Sequence, residues 1–112
     1  MTPIHYVEFK STDLTATKVF YGAAFGWTFT DYGPTYTAIT KTGIDGGFEF
    51  TDQPIVNGAL VILYDDDLLA AKDKVIEAGG TISVDIFSFP GGERFQFIDP
   101  SGNELAVWKE IS

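Results

Sequence analysis

A chain of 112 residues, 45% hydrophobic and 15% aromatic, has enough apolar surface for one folded core and is too rich in it for disorder. Sixteen acidic residues against seven basic ones give a formal charge of −9, a surface that repels nucleic acid and anionic membranes. The absence of cysteine excludes disulfides, thiolate metal sites and a cysteine nucleophile.

No apolar run reaches the roughly 20 residues that span a bilayer, and MTPIHYVEFK lacks the apolar centre of a signal peptide. The expectation is a cytoplasmic protein forming a single domain over 1–112. An alternating strand over about 3–9 runs into Thr12 and Asp13, which can cap a helix. Ala16, Phe20 and Ala23 then share one helical face, and Gly26 supplies the stop. Gly22 inside that helix costs about 1 kcal/mol in propensity. Strand signals follow near 27–31, 35–41 and 46–51, separated by Gly33–Pro34 and Gly43. TDQPIVNG (51–58) reads as a linker.

The same order then returns. A strand over 58–64 leads to Asp65, Asp66 and Asp67, whose acids suit a helix N-terminus better than a metal site. Leu68, Ala71 and Val75 form one helical face, closed by Gly79–Gly80, and strands follow near 81–86, 92–98 and 103–109. Residues 7–31 laid over 61–85 without a gap give eight identities in 25 pairs, where roughly two are expected from ordinary residue frequencies. The chain therefore reads as α+β, two tandem βαβββ modules over about 1–52 and 58–112. One helix covers one face of a four-stranded sheet, so the other faces are expected to enclose a cleft between the modules, a natural place for a ligand.

Four stretches carry a family resemblance: TDLTATKVFYGAAFGW (12–27), GIDGGF (43–48), DDDLLAAKDKVIEAGG (65–80) and FIDPSGNELAVW (97–108). In this order they resemble the vicinal oxygen chelate superfamily of glyoxalases, bleomycin resistance proteins and dioxygenases. The resemblance implies a divalent metal held by His, Glu or Gln on the first and last strands of each module. Seven residues before each helix-opening aspartate stand Tyr6 and Leu60, and seven after Asp99 stands Ala106. None is a competent ligand, a rare tyrosinate apart. The face of Glu104, Ala106 and Trp108 thus reads as a cavity wall that lacks its metal-binding carboxylate.

Strand alternation places Tyr6 and Glu8 on one face and the only histidine, His5, on the other with Val7. Should Glu8 be buried beside aromatics, it is the best general-base candidate. Arg94 and Gln96 alternate with Phe95 and Phe97; with the phenylalanines under the helix, the polar pair points into the cleft. Trp108 can stack on a ligand, and Tyr36 and Glu49 are further lining candidates. No nucleophile–base pair and no phosphate-cradling loop is present. The expectation is a protein without metal or cofactor that binds a small organic ligand through Tyr6, Glu8, Tyr36, Glu49, Arg94, Gln96 and Trp108. The resemblance adds homodimerisation, with clefts at or near the subunit contact. The alternatives are a metal-dependent glyoxalase-type lyase or isomerase or a dioxygenase, and a bleomycin-type protein that sequesters a cationic drug.

Overall fold

The computed structural model describes residues 1–40 and 43–111. The first half supplies β1 (Tyr6–Ser11), α1 (Leu14–Phe25), β2 (Thr28–Asp31), β3 (Tyr36–Thr40) and β4 (Asp45–Phe50). The second supplies β5 (Val61–Tyr64), α2 (Leu68–Glu77), β6 (Thr81–Phe89), β7 (Gly92–Ile98) and β8 (Glu104–Glu110). The sheets run β1-β4-β3-β2 and β5-β8-β7-β6. In each, the first strand pairs parallel with the last and the other pairs are antiparallel. These are the two tandem βαβββ units, with curved sheets that do not close. Neither helix, of 12 and 10 residues, is long and apolar enough to cross a membrane.

Three boundaries differ from expectation by three residues, β5 starting at Val61 rather than residue 58. β1 starts at Tyr6 rather than residue 3, because the first pairing partner on β4, Asp45, sits opposite Tyr6. β6 runs to Phe89 rather than 86, its register shifted twice against β7. The expected end of the third strand, Lys41, lies outside the described residues.

The repeated identities become repeated interactions. The Asp13 carboxylate accepts the Ala16 N–H at 3.0 Å, and Asp67 accepts the Ala70 N–H at 3.1 Å, so each caps its helix. Lys18 reaches Asp31 at 3.1 Å and Lys72 reaches Asp85 at 2.7 Å, tying each helix to the next strand. The Thr37 hydroxyl and Lys18 hold the Asp31 carboxyl below its ordinary pKa; Lys72 and the Ile86 N–H do the same for Asp85.

The helices meet each other and pack into a core with the inner faces of both sheets. α2 buries Leu68, Ala71 and Val75 as its spacing predicts. α1 departs from prediction, burying Thr17, Phe20, Tyr21 and Ala24 while Ala23 is exposed. The apolar count missed two polar residues that find partners inside: Thr17 meets the Ser11 hydroxyl at 2.7 Å, and Tyr21 donates to Asp99 at 2.8 Å. Phe95, Phe97, Leu105 and Val107 are wholly buried on the inner face of the second sheet. Gly80 lets the helices approach, since a Cβ there would meet Val75 and Phe20 within 3 Å.

The DPSGN turn between β7 and β8 fastens these parts together. One oxygen of the buried Asp99 accepts the N–H groups of Ser101, Gly102 and Asn103, each at 2.9 Å. The other accepts the Tyr21 hydroxyl and, at 3.0 Å, the Asn103 amide. That amide also donates to the Lys10 carbonyl on β1 at 2.8 Å. Burial, and then the charge of Asp99, push the Tyr21 phenol well above its ordinary pKa, so it remains a donor. The linker joins in, as Asn57 donates to the Gly102 carbonyl and accepts the Glu104 N–H, both at 3.0 Å.

Asp99→Ala strands several buried donors, and loss of about 3–5 kcal/mol of folding stability is expected. Tyr21→Phe keeps the ring and removes one hydrogen bond to a charge, for a loss of about 2 kcal/mol. Urea unfolding monitored by circular dichroism measures both. A Tyr21→Phe midpoint equal to that of the parent would contradict this account of the turn.

Candidate functional site

Each sheet has one face turned away from the helices. On β1, Val7, Phe9 and Ser11 turn inward while Tyr6, Glu8 and Lys10 are exposed, so the side-chain register is the predicted one. His5 is exposed and precedes the strand. Tyr36 lies opposite Glu49, and Glu8 opposite Gly47. The hydroxyls of Tyr6 and Tyr36 are hydrogen-bonded over Gly47, where a Cβ would collide with both. Desolvation, the Tyr6 hydroxyl and the Glu8 carboxylate push the Tyr36 phenol well above its ordinary pKa, which keeps it neutral. Lys10 pairs with Glu49. Glu8 is solvent-exposed, not buried among aromatics. With Lys10, Asn57 and Gly58 it lines a hollow of about 190 Å³. The first face is therefore occupied by its own paired hydroxyls and charges.

The metal positions implied by the resemblance can be tested on this register. Val7 pairs with Gly46 as Val61 pairs with Leu105, so Gly47 is the counterpart of Ala106. The four positions hold Tyr6, Gly47, Leu60 and Ala106, which offer one phenol, already bonded to Tyr36, and no imidazole or carboxylate. This donor set does not fit a divalent transition metal. Among the described residues, no three His, Cys, Asp or Glu side chains are grouped to hold an ion elsewhere.

The second face has a different character. Ile62 and Tyr64 on β5 lie opposite Ala106 and Trp108 on β8, and Trp108 lies opposite Arg94 on β7. The Arg94 guanidinium sits 5.2 Å from the centre of the Phe87 ring and 5.9 Å from that of Phe89. Trp108 packs edge-on to Tyr64 at 5.2 Å and against Phe89 at 6.3 Å. Ile62, Phe89, Arg94 and Trp108 line a hollow of about 270 Å³. The Nε of Arg94 is buried without a hydrogen-bond partner, a deficit of about 1–3 kcal/mol if nothing fills it. Arg94 makes no ion pair among the described residues. A further hollow of about 500 Å³, between the end of α1 and β5 near Asp65 and Lys74, is lined by none of the expected site residues.

The seven expected residues thus fall on two sheets. Tyr6, Glu8, Tyr36 and Glu49 belong to the first, while Arg94 and Trp108 come together on the second. Gln96 shares the second face, but its amide donates to Glu104 at 3.2 Å and does not line the Arg94 hollow. Sequence reading missed Ile62, Tyr64, Phe87 and Phe89. The available signal was the alternation of Phe87 and Phe89, lost because the strand was ended at residue 86.

Comparison with known proteins agrees with this fold. The family model described as Glyoxalase/Bleomycin resistance protein/Dioxygenase superfamily matches residues 4–107. CFP32 of Mycobacterium tuberculosis, whose provisional name is glyoxylase, is 29% identical over 119 residues, covering 94% of this chain. The chain spans 44% of that relative's length. Among solved structures, a glyoxalase-related enzyme from Fulvimarina pelagi superposes with a TM-score of 0.83 at 18% identity, covering 98% of this chain and 89% of its own. TnmS3, an antibiotic binding protein from Streptomyces sp. CB03234, superposes with a TM-score of 0.75 at 19% identity, covering 99% and 98%. With its two βαβββ units and a family match across nearly its whole length, the chain belongs to the Glyoxalase/Bleomycin resistance protein/Dioxygenase superfamily.

Proposed function

We propose that this protein binds a small organic ligand, without a metal, at the aromatic face around Arg94 and Trp108, and does so as a homodimer in the cytoplasm. The observation that carries the reading is the contrast between the positions that the resemblance assigns to a metal and the aromatic hollow on the second sheet. Tyr6, Gly47, Leu60 and Ala106 cannot assemble a coordination sphere, whereas Ile62, Phe89 and Trp108 supply apolar walls and Arg94 one polar group to orient a guest. Those four positions offer a metal-dependent lyase, isomerase or dioxygenase no imidazole or carboxylate, which supports the metal-free reading. The solved neighbour described as an antibiotic binding protein supports binding as a use of this fold.

The dimer is inferred from apolar area left uncovered. Ile62 is 45% and Tyr64 56% exposed, and Val84 and Phe87 add to the same face. Such a patch suits a second copy better than water.

Two measurements test these readings. Sedimentation equilibrium at micromolar concentration is expected to give twice the 12.2 kDa chain mass; a 12.2 kDa species alone would overturn the dimer. Elemental analysis after chelator-free purification is expected to find no stoichiometric metal. Zinc, iron, manganese or nickel retained through dialysis would remove the metal-independent reading and favour an enzyme.

A further inference from the structure

Resting on the binding reading above, we propose that Arg94 makes this site selective for a planar carboxylate: an aromatic or conjugated acid whose carboxylate bonds the Arg94 edge while its ring lies against Trp108. Three features point to that class. First, the two phenylalanine rings occupy the neighbourhood of the guanidinium, holding it through cation–π attraction. The buried Nε donor is left without a partner. An Nε and an adjacent Nη form a fork matched to the two oxygens of a carboxylate.

Second, the protein carries sixteen acidic residues and a single arginine, yet none of its own carboxylates pairs with that arginine among the described residues. Glu104, on the same face, is engaged by Ser83 at 2.7 Å and by Gln96. A fixed cation kept clear of internal anions is available to an external one. Third, the hollow of about 270 Å³ is otherwise walled by Ile62, Phe89 and Trp108. Those walls favour a flat apolar body of one or two rings. The same cation opposes an ammonium group, so a cationic drug is the wrong guest for this pocket despite the net acidity of the protein.

The experiment titrates the full chain with three probes of nearly equal shape: 2-naphthoate, the neutral 2-naphthamide and the cationic 2-naphthylmethylammonium. Calorimetry gives affinity, and tryptophan quenching reports contact with Trp108, assigned by its loss in Trp108→Phe. The acid is expected to bind at least about tenfold more tightly than either analogue. Arg94→Met should erase that preference, and Arg94→Lys, which lacks the fork, should restore only part of it. Trp108→Phe should weaken all three probes and leave the preference for the acid.

Equal or tighter binding of the amide or the ammonium probe would overturn the selectivity while leaving the small-ligand reading intact. Binding of none of the three would count against both. If Arg94→Met dissociates the dimer and the parent ignores the acid, Arg94 serves the contact between copies and the proposal fails. Should Arg94→Met not fold, the acid-to-amide ratio in Arg94→Lys decides, and an unchanged ratio would refute the carboxylate fork.

Discussion

The Asp99 carboxylate is the point through which the two halves of this molecule are held in one arrangement. Its five hydrogen bonds shape the β7–β8 turn, fix the ring of Tyr21 in α1 and, through Asn103, reach the backbone of β1. Only buried groups satisfied on every side can do this without a large desolvation penalty. Because Tyr21 also stacks on Trp27 at 4.7 Å and lies against Phe48, fixing its hydroxyl orders the aromatic core of the first module. A turn that reads as a hairpin connection is therefore also the joint between modules.

Much of this was legible. The internal repeat exposed the architecture because its identities are those with mechanical roles: Asp13 and Asp67 as caps, and Lys18–Asp31 and Lys72–Asp85 as helix-to-strand ties. The alternation of Arg94 and Gln96 with Phe95 and Phe97 correctly assigned the faces of β7. The buried face of α1 was misread because Thr17 and Tyr21 carry polar groups that become core residues only through their partners, Ser11 on the preceding strand and Asp99 far along the chain. The aromatic lining of the second face was incomplete because β6 continues to Phe89, three residues past its expected end, and carries Phe87 and Phe89 there.

The two sheets also show how a duplicated unit can divide its labour. The features that make each unit fold lie on the helix side: caps, lysine–aspartate ties and inward-facing apolar strands. The opposite faces carry none of that burden and have diverged. The first holds a tyrosine pair over Gly47 and a lysine–glutamate pair; the second holds aromatics around an arginine. No helix cap and no lysine–aspartate tie runs through Tyr6, Gly47, Leu60 or Ala106, so those devices do not depend on what stands at the four positions.

The outer edges of the sheets carry a further consequence. Every open sheet has edge strands whose unpaired backbone groups can recruit another chain; β1 and β2 are the edges of one sheet and β5 and β6 of the other, with β2 and β6 the antiparallel edges. β2 is only four residues long and begins and ends on Thr28 and Asp31, too short to template an extended ladder. β6 is nine residues long and carries Ile82, Val84, Ile86, Phe87 and Phe89, the composition of an aggregation-prone segment. Its two register breaks distort the strand and interrupt the regular row of donors and acceptors that a foreign strand would need. The irregularity of β6 is thus of the kind that disfavours edge-to-edge pairing along the longest and most apolar of these edges.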